Sequence, residues 1–337
     1  MVRILMATAA IASMAPVAVS AAEPKLAPKA LVITMFGAEA QPWLDGAGFT
    51  QEVKVPGLFA EYPVVACNEA GLCQMTTGMG FANAASSVSA VVYSERFDLT
   101  ETYVLVAGIA GVDPGQGTLG SAHWARFAVD GGLRHEIDPR QIPEGWASGV
   151  VALGAAGPGE AAKWQAGTEV YRLDEKLLQK ALALSQDTEL LDSDEAAAYR
   201  QAYQGAGSKP PAVSICDTLS SDTYWHGSRI AEAMDVFVNV ATKGEGDYCT
   251  TQMEDNATLT ALKRGSDAGL LDFGRVAVLR TASNFDREAP DQTASASLGA
   301  TSGGFPLATA NAYRVGSKLT DAILADWENW KDGVPQD

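Results

Sequence analysis

The segment Tyr103-Val-Leu-Val-Ala-Gly-Ile-Ala-Gly-Val112 contains only apolar residues and glycine. A helix crossing a bilayer needs about twice that length. A short apolar run bounded by turn residues reads instead as a strand buried on both faces, with Thr102 to Ala107 as its regular part and Gly108 and Gly111 at its end. Such a strand requires helices above and below it. The flanking sequence supplies them. Lys29 to Thr34 reads as a first buried strand, followed by a loop through Phe36-Gly-Ala-Glu39. Tyr62 to Ala66 and Leu72 to Thr77 read as hairpin arms, and Phe81 to Val92 as an Ala-rich helix able to pack closely on a sheet. Further on, Ala212 to Cys216, Met253 to Leu262 and Arg275 to Arg280 read as strand, helix and strand. Ala308 to Trp330 reads as a closing helix. Leu173 to Tyr203 is a more polar helical excursion, with Asp192-Ser-Asp-Glu195 as a helix start, and Gly205 to Pro211 is a loop. The expectation is an α/β sheet with helices on both faces.

The N-terminus has a separate meaning. Arg3 precedes an apolar run from Ile4 to Ala15, then Pro16 and the small residues Val19, Ser20, Ala21 and Ala22. This is the pattern of a secretory signal peptide cleaved after Ala21 or Ala22. A periplasmic or secreted chain with four cysteines is expected to hold two disulfides. Cys67 and Cys73 flank the turn sequence Asn68-Glu-Ala-Gly71 and face each other across the hairpin, which leaves Cys216 and Cys249 as the second pair. There is no CxxC, and the histidines do not cluster with the cysteines, so no metal site is expected.

Charge narrows the partners. The chain carries 24 Lys and Arg against 41 Asp and Glu, a net charge of −17, which argues against nucleic acid or anionic lipid because nothing would neutralise phosphates. No cofactor is expected either. Gly78-Met-Gly-Phe-Ala-Asn83 lacks the third glycine of a dinucleotide fingerprint, and there is no Walker A loop, HExxH or GxSxG. His123, His135 and His226 show no pattern pointing to a triad.

What remains is a constellation of acidic, aromatic and amide residues just beyond strand ends, where α/β sheets place ligands. Glu39 follows the first strand, and Asp222-Thr-Tyr-Trp-His226 the strand near Val213. Glu254 and Asp255 open a helix after a Cys-containing turn, and Ser283-Asn-Phe-Asp286 follows the strand ending at Arg280. An aromatic face for a base, carboxylates for sugar hydroxyls and an amide for N7 together suit a nucleoside.

These segments resemble the purine nucleoside permease family over nearly the whole chain. The resemblance rests on Val32-Ile-Thr-Met-Phe36, Thr77-Gly-Met-Gly80, Gly108-Ile-Ala-Gly111 with Gly117-Thr-Leu-Gly120, Cys216-Asp-Thr218, Tyr224-Trp-His-Gly227, Tyr248-Cys-Thr-Thr251, Glu254-Asp-Asn-Ala257 and Arg280-Thr-Ala-Ser283. That family is distantly similar to the nucleoside phosphorylase and nucleosidase superfamily. The resemblance implies a three-layer α/β/α fold with a central mixed sheet, formed by residues 23–337 as one domain with a helical excursion at about 173–204. It implies that Met253 and Glu254 bind the ribose, that Tyr224, with Trp225 beside it, stacks on the purine, that Ser283 and Asn284 contact N7, and that Glu39 activates water. Asp222 and His226 join the substrate-binding set. Each has a plainer reading: Glu254 and Arg280 as a structural ion pair, Tyr224 and Trp225 as core aromatics, Asn284 as a turn cap.

Three functions stay open: a purine nucleosidase, a phosphorylase, and a non-catalytic receptor serving uptake. Phosphorolysis needs a cationic pocket. The segment from Thr34 to Val53 has no Lys or Arg, and only Arg126 and Arg287 are candidates from elsewhere, so water is the preferred nucleophile. The family name leaves room for a transport partner in the inner membrane, and phosphorylase relatives leave room for a homo-oligomer.

Overall fold

Along the first strand, Ala30–Thr34, Leu31 and Ile33 face one way and Ala30 and Val32 the other, the two-residue alternation of a pleated strand. Both faces are covered, which is why the strand reads as an unbroken apolar run. Leu31 and Ile33 pack in a core with Val88 and Val91 of helix Phe81–Val92 and with Leu259 and Leu262 of helix Asp255–Asp267. Ala30 and Val32 pack with Trp43 of helix Gly37–Gly46, Leu177 of helix Glu175–Ser185, and Val315 and Leu319 of helix Gly304–Ala325. The result is a three-layer α/β/α arrangement. These observations come from a computed structural model that describes residues 24–335; the signal-peptide reading falls outside them.

Among the described residues the sheet has twelve strands and is mixed. Its main path runs Val170–Arg172, Phe127–Asp130, Asp217–Ser220, Tyr248–Gln252, Tyr103–Val112, Ala30–Thr34, Leu72–Thr76, Val64–Cys67 and Gln51–Lys54. Tyr103–Val112 is parallel to Ala30–Thr34 and to Val276–Phe285, and antiparallel to Tyr248–Gln252. The C-terminal ends of these strands converge on one crevice. Cys67–Cys73 bridges the hairpin at a directly opposed pair, and Cys216–Cys249 ties the segment before Asp217–Ser220 to its neighbour strand; against expectation a histidine does lie with the cysteines, His123 Nδ1 standing 3.4 Å from Cys216 Sγ.

Five local expectations are corrected. Phe36 to Glu39 is not a loop: helix Gly37–Gly46 starts there, so Glu39 sits in a first helical turn. The strand expected to end at Arg280 runs on to Phe285, paired with Ile109 to Val112 of the central strand. Ser283 and Asn284 are therefore inside a strand rather than beyond it. The polar residues looked like a loop because the cavity, not apolar packing, lies against them. A further strand, Asp217–Ser220, stands between Val213–Ile215 and Asp222, and Cys249 lies in a strand instead of a turn. The closing helix starts earlier, at Gly304, and breaks at Asp326 before a short turn Trp327–Trp330.

Candidate functional site

Glu39 is 2 % exposed. Its Oε2 accepts the Met35 N–H and its Oε1 the Ile109 N–H, both at 2.7 Å. The helix that follows the first strand thus delivers a carboxylate to the central strand and fixes both of its oxygens. Burial pushes its pKa up to about 7, helped by the nearby charge of Glu254 and opposed by Arg280 and the two N–H donors.

Glu254 is the N-cap residue of helix Asp255–Asp267, directly after strand Tyr248–Gln252. Its Oε1 accepts the Gly80 N–H at 3.1 Å and its Oε2 the Met253 N–H at 3.3 Å. Burial raises its pKa too, against the pull of Arg280. The Arg280 guanidinium lies behind both acids. It is fully buried, donates from Nε to Asp255 and from Nη1 to the Ile109 carbonyl at 3.0 Å, and its Nη2 stands 3.7 Å from Glu254 Oε2. Burial by itself would lower the Arg280 pKa, but Asp255, Glu254 and Glu39 together raise it. One cation therefore faces three carboxylates. Burial is the main reason Glu39 holds a proton near neutrality; with Asp255 taking the closest hydrogen bonds of Arg280, the neighbouring charge of Glu254 adds to it.

Gly108 is what lets this cluster close. A Cβ there would lie 2.6 Å from Glu39 Oε1 and 2.7 Å from Arg280 Nη1. Strand Val276–Phe285 is irregular at Ser283, where its register against the central strand shifts between Ala282 and Asn284. Such a bulge re-aims side chains. Here Ser283 donates to the Ala110 carbonyl and to Asn284 Oδ1, and Asn284 Nδ2 donates to the Phe285 carbonyl.

A cavity of about 430 Å³ collects these groups, within the range of small-molecule sites. Glu39, Tyr224, Trp225, Met253, Glu254, Ser283 and Asn284 all line it. Tyr224 is 58 % exposed, standing at the rim, whereas Trp225 is buried among Phe127, Leu219 and Tyr248 and shows only part of its ring. Two sequence candidates lie elsewhere. Asp222 accepts the Phe81 N–H at 2.7 Å and caps helix Phe81–Val92. His226 opens onto a neighbouring cavity. The Glu254–Arg280 pairing weighed from sequence is present but secondary: Asp255 is the main partner.

Among the described residues no Lys or Arg lines the cavity. Arg126 is bound to Glu175, and Arg287 to Asp286 and Asp113. The Gly80 and Phe81 N–H groups, which open a helix and would suit an anion, are already taken by Glu254 and Asp222. The sequence reading missed Arg280 as a counter-ion to Glu39 and missed the Phe36–Phe305 ring pair at the mouth, with centroids 6.2 Å apart. A lone arginine inside the apolar run Val276-Ala-Val-Leu-Arg280 was the available signal for the first. No local pattern linked two rings so far apart in the chain.

The family model described as purine nucleoside permease matches residues 27–335. The chain is 39% identical over 323 residues to a probable purine nucleoside permease of Schizosaccharomyces pombe, covering 90% of this chain and 91% of that one. It is 35% identical over 314 residues to a purine nucleoside permease of Candida albicans, covering 91% and 77%. Among solved structures, 5′-methylthioadenosine/S-adenosylhomocysteine nucleosidase from Neisseria meningitidis aligns with a TM-score of 0.53 at 15% identity, over 88% of this chain and 99% of that one. Futalosine hydrolase of Helicobacter pylori aligns with a TM-score of 0.53 at 14% identity, over 88% and 98%. At such identities these likenesses establish the fold, nucleoside phosphorylase-like α/β, and nothing further. The match along nearly the full described length, with relatives well above 30% identity, settles descent: the chain belongs to the purine nucleoside permease family.

Proposed function

We propose that this protein is exported, binds purine nucleosides in the 430 Å³ cavity and cleaves their N-glycosidic bond with water. One observation carries the reading: Glu39, held by two backbone N–H groups and with its pKa pushed up to about 7, shares a cavity with Glu254, Tyr224 and Asn284. A carboxylate titrating near neutrality is matched to general-base work. Tyr224 stacks on the base, and the Glu254 oxygens accept from the 2′- and 3′-hydroxyls. As the bond between the sugar anomeric carbon and purine N9 breaks, its electron pair passes to the purine, and Asn284 donates a hydrogen bond to N7. Glu39 takes a proton from the water that bonds to the sugar carbon. An amide cannot hand over a proton, so the departing base takes one from solvent, which favours 6-oxopurines with their more acidic leaving base.

Hydrolysis is preferred to phosphorolysis on electrostatic grounds. A phosphate beside Glu254 or ionised Glu39 would meet repulsion of about 4 kcal/mol per charge pair at 4 Å with an effective dielectric of 20, and no cationic side chain lines the cavity to offset it. Export is supported by the leader-like N-terminus and by the two disulfides. Among the described residues no helix is long and apolar enough to cross a membrane. The relatives' names favour a second reading, a receptor that binds nucleoside for a membrane transporter without turnover. Incubating the purified protein with inosine or adenosine, with and without phosphate, separates the readings: free base in both buffers supports hydrolysis, and tight binding without base supports the receptor.

A further inference from the structure

A second cavity of about 450 Å³ adjoins the first, and Tyr224, Ser283, Asn284 and Phe305 line both. Its far wall carries Glu195, Ser297 and Leu298. His226 also lines it, and neither His226 ring nitrogen, both buried, makes a hydrogen bond. Buried polar nitrogens without partners are unfavourable by roughly 1–3 kcal/mol each unless something satisfies them, so a turn of the His226 ring that presents one of them to the cavity breaks no hydrogen bond.

Purine geometry says which part of a ligand reaches there. N7 and the substituent at the 6-position lie side by side on one edge of the base. With N7 held at Asn284, as in the function proposed above, the 6-substituent continues past Asn284 and Tyr224 into the second cavity. We infer that this cavity is a subsite for an extended group on the purine 6-position, and that N6-substituted adenosines are ligands of this protein alongside the unsubstituted nucleosides. Phe285 and Leu298 offer apolar contact to such a group, and the His226 ring, turned toward the cavity, a hydrogen bond to any polar tip.

This inference rests on the nucleoside reading, and its test keeps the two apart. Binding of adenosine and of N6-benzyladenosine is measured by calorimetry for the wild type and for Ala300→Trp, a substitution at an exposed position on the subsite wall. Leu298→Trp serves as a second, independent blocking variant. The wild type is expected to bind N6-benzyladenosine within about tenfold of adenosine, and each Trp variant to weaken N6-benzyladenosine by about tenfold or more while leaving adenosine within about twofold. If the wild type binds adenosine but N6-benzyladenosine more than about tenfold more weakly, the subsite is refuted and the nucleoside reading stands. Variants that leave N6-benzyladenosine unaffected, or weaken both ligands equally, also overturn the subsite. Failure of both ligands to bind the wild type refutes the nucleoside reading itself.

Discussion

Glu39 Oε1 accepts the Ile109 N–H at 2.7 Å, and the Ile109 carbonyl accepts from Arg280 Nη1 at 3.0 Å. One residue of the central strand therefore binds the acid through its N–H and the counter-ion through its carbonyl. Their separation is set by backbone and not by flexible side chains, so the charge balance of the cavity is a property of the fold.

The first consequence is a pH dependence. Native Glu39 titrates near 7 while the unfolded chain releases that proton near 4.5. Between these values the native state binds the extra proton, so the stability from this group is present at low pH and is lost as pH rises through the window. The loss is about 3 kcal/mol. Glu39→Gln removes this titration, so the difference in melting temperature between wild type and variant should change across pH 4 to 8. Parallel curves for the two proteins would contradict a raised Glu39 pKa.

Asp255 serves the cluster rather than the ligand. It is fully buried and takes the closest hydrogen bonds of Arg280. Asp255→Asn leaves Arg280 short of a counter-ion in the interior, which should destabilise the protein by about 3–5 kcal/mol. Denaturant unfolding measures this directly, and a loss below about 1 kcal/mol would show that Glu254 and Glu39 neutralise Arg280 without Asp255.

Gly108 should tolerate no side chain. Its hypothetical Cβ meets Glu39 and Arg280 at 2.6 and 2.7 Å, so Gly108→Ala must push apart the groups that define the site. The expected outcome is a loss of about 1–3 kcal/mol of stability, together with nucleoside cleavage reduced by about tenfold or more. Wild-type turnover in this variant would mean that the spacing of Glu39 and Arg280 is unimportant.

Two neighbours in sequence should separate by assay. Tyr224→Ala removes a rim aromatic and should weaken nucleoside binding by about 1–3 kcal/mol, by analogy with base stacking on aromatic side chains, with little effect on stability. Asp222→Ala removes the cap of helix Phe81–Val92 and should lower stability by about 1 kcal/mol with a smaller effect on affinity. Reversal of this pattern would return Asp222 to the binding set and take Tyr224 out of it.

The sequence was informative where local pattern and packing agree. Leu31, Ile33, Val104 and Val106 lie in buried strands, so composition alone announces a sheet covered on both faces. It was less informative at the cavity. Ser283 and Asn284 carry loop chemistry yet sit in a strand, where Asn284 pairs with Gly111 of Tyr103–Val112 and Ser283 is the extra residue at the register shift. Asp222 resembles a ligand-binding acid by its position after a strand, but the helix N-terminus it caps begins 141 residues earlier in the chain. Arg280 is plainly out of place in an apolar run, but which of three carboxylates it serves depends on how three separate segments fold together.

Purified wild-type protein and Glu39→Gln, each given inosine with and without phosphate while free hypoxanthine is recorded, test the central claim most directly. The claim predicts equal base release by the wild type in both buffers, and a rate lower by about a hundredfold or more in the variant, assayed at a temperature where its melting curve shows it folded. Base released only with phosphate, or at undiminished rate by Glu39→Gln, would contradict it.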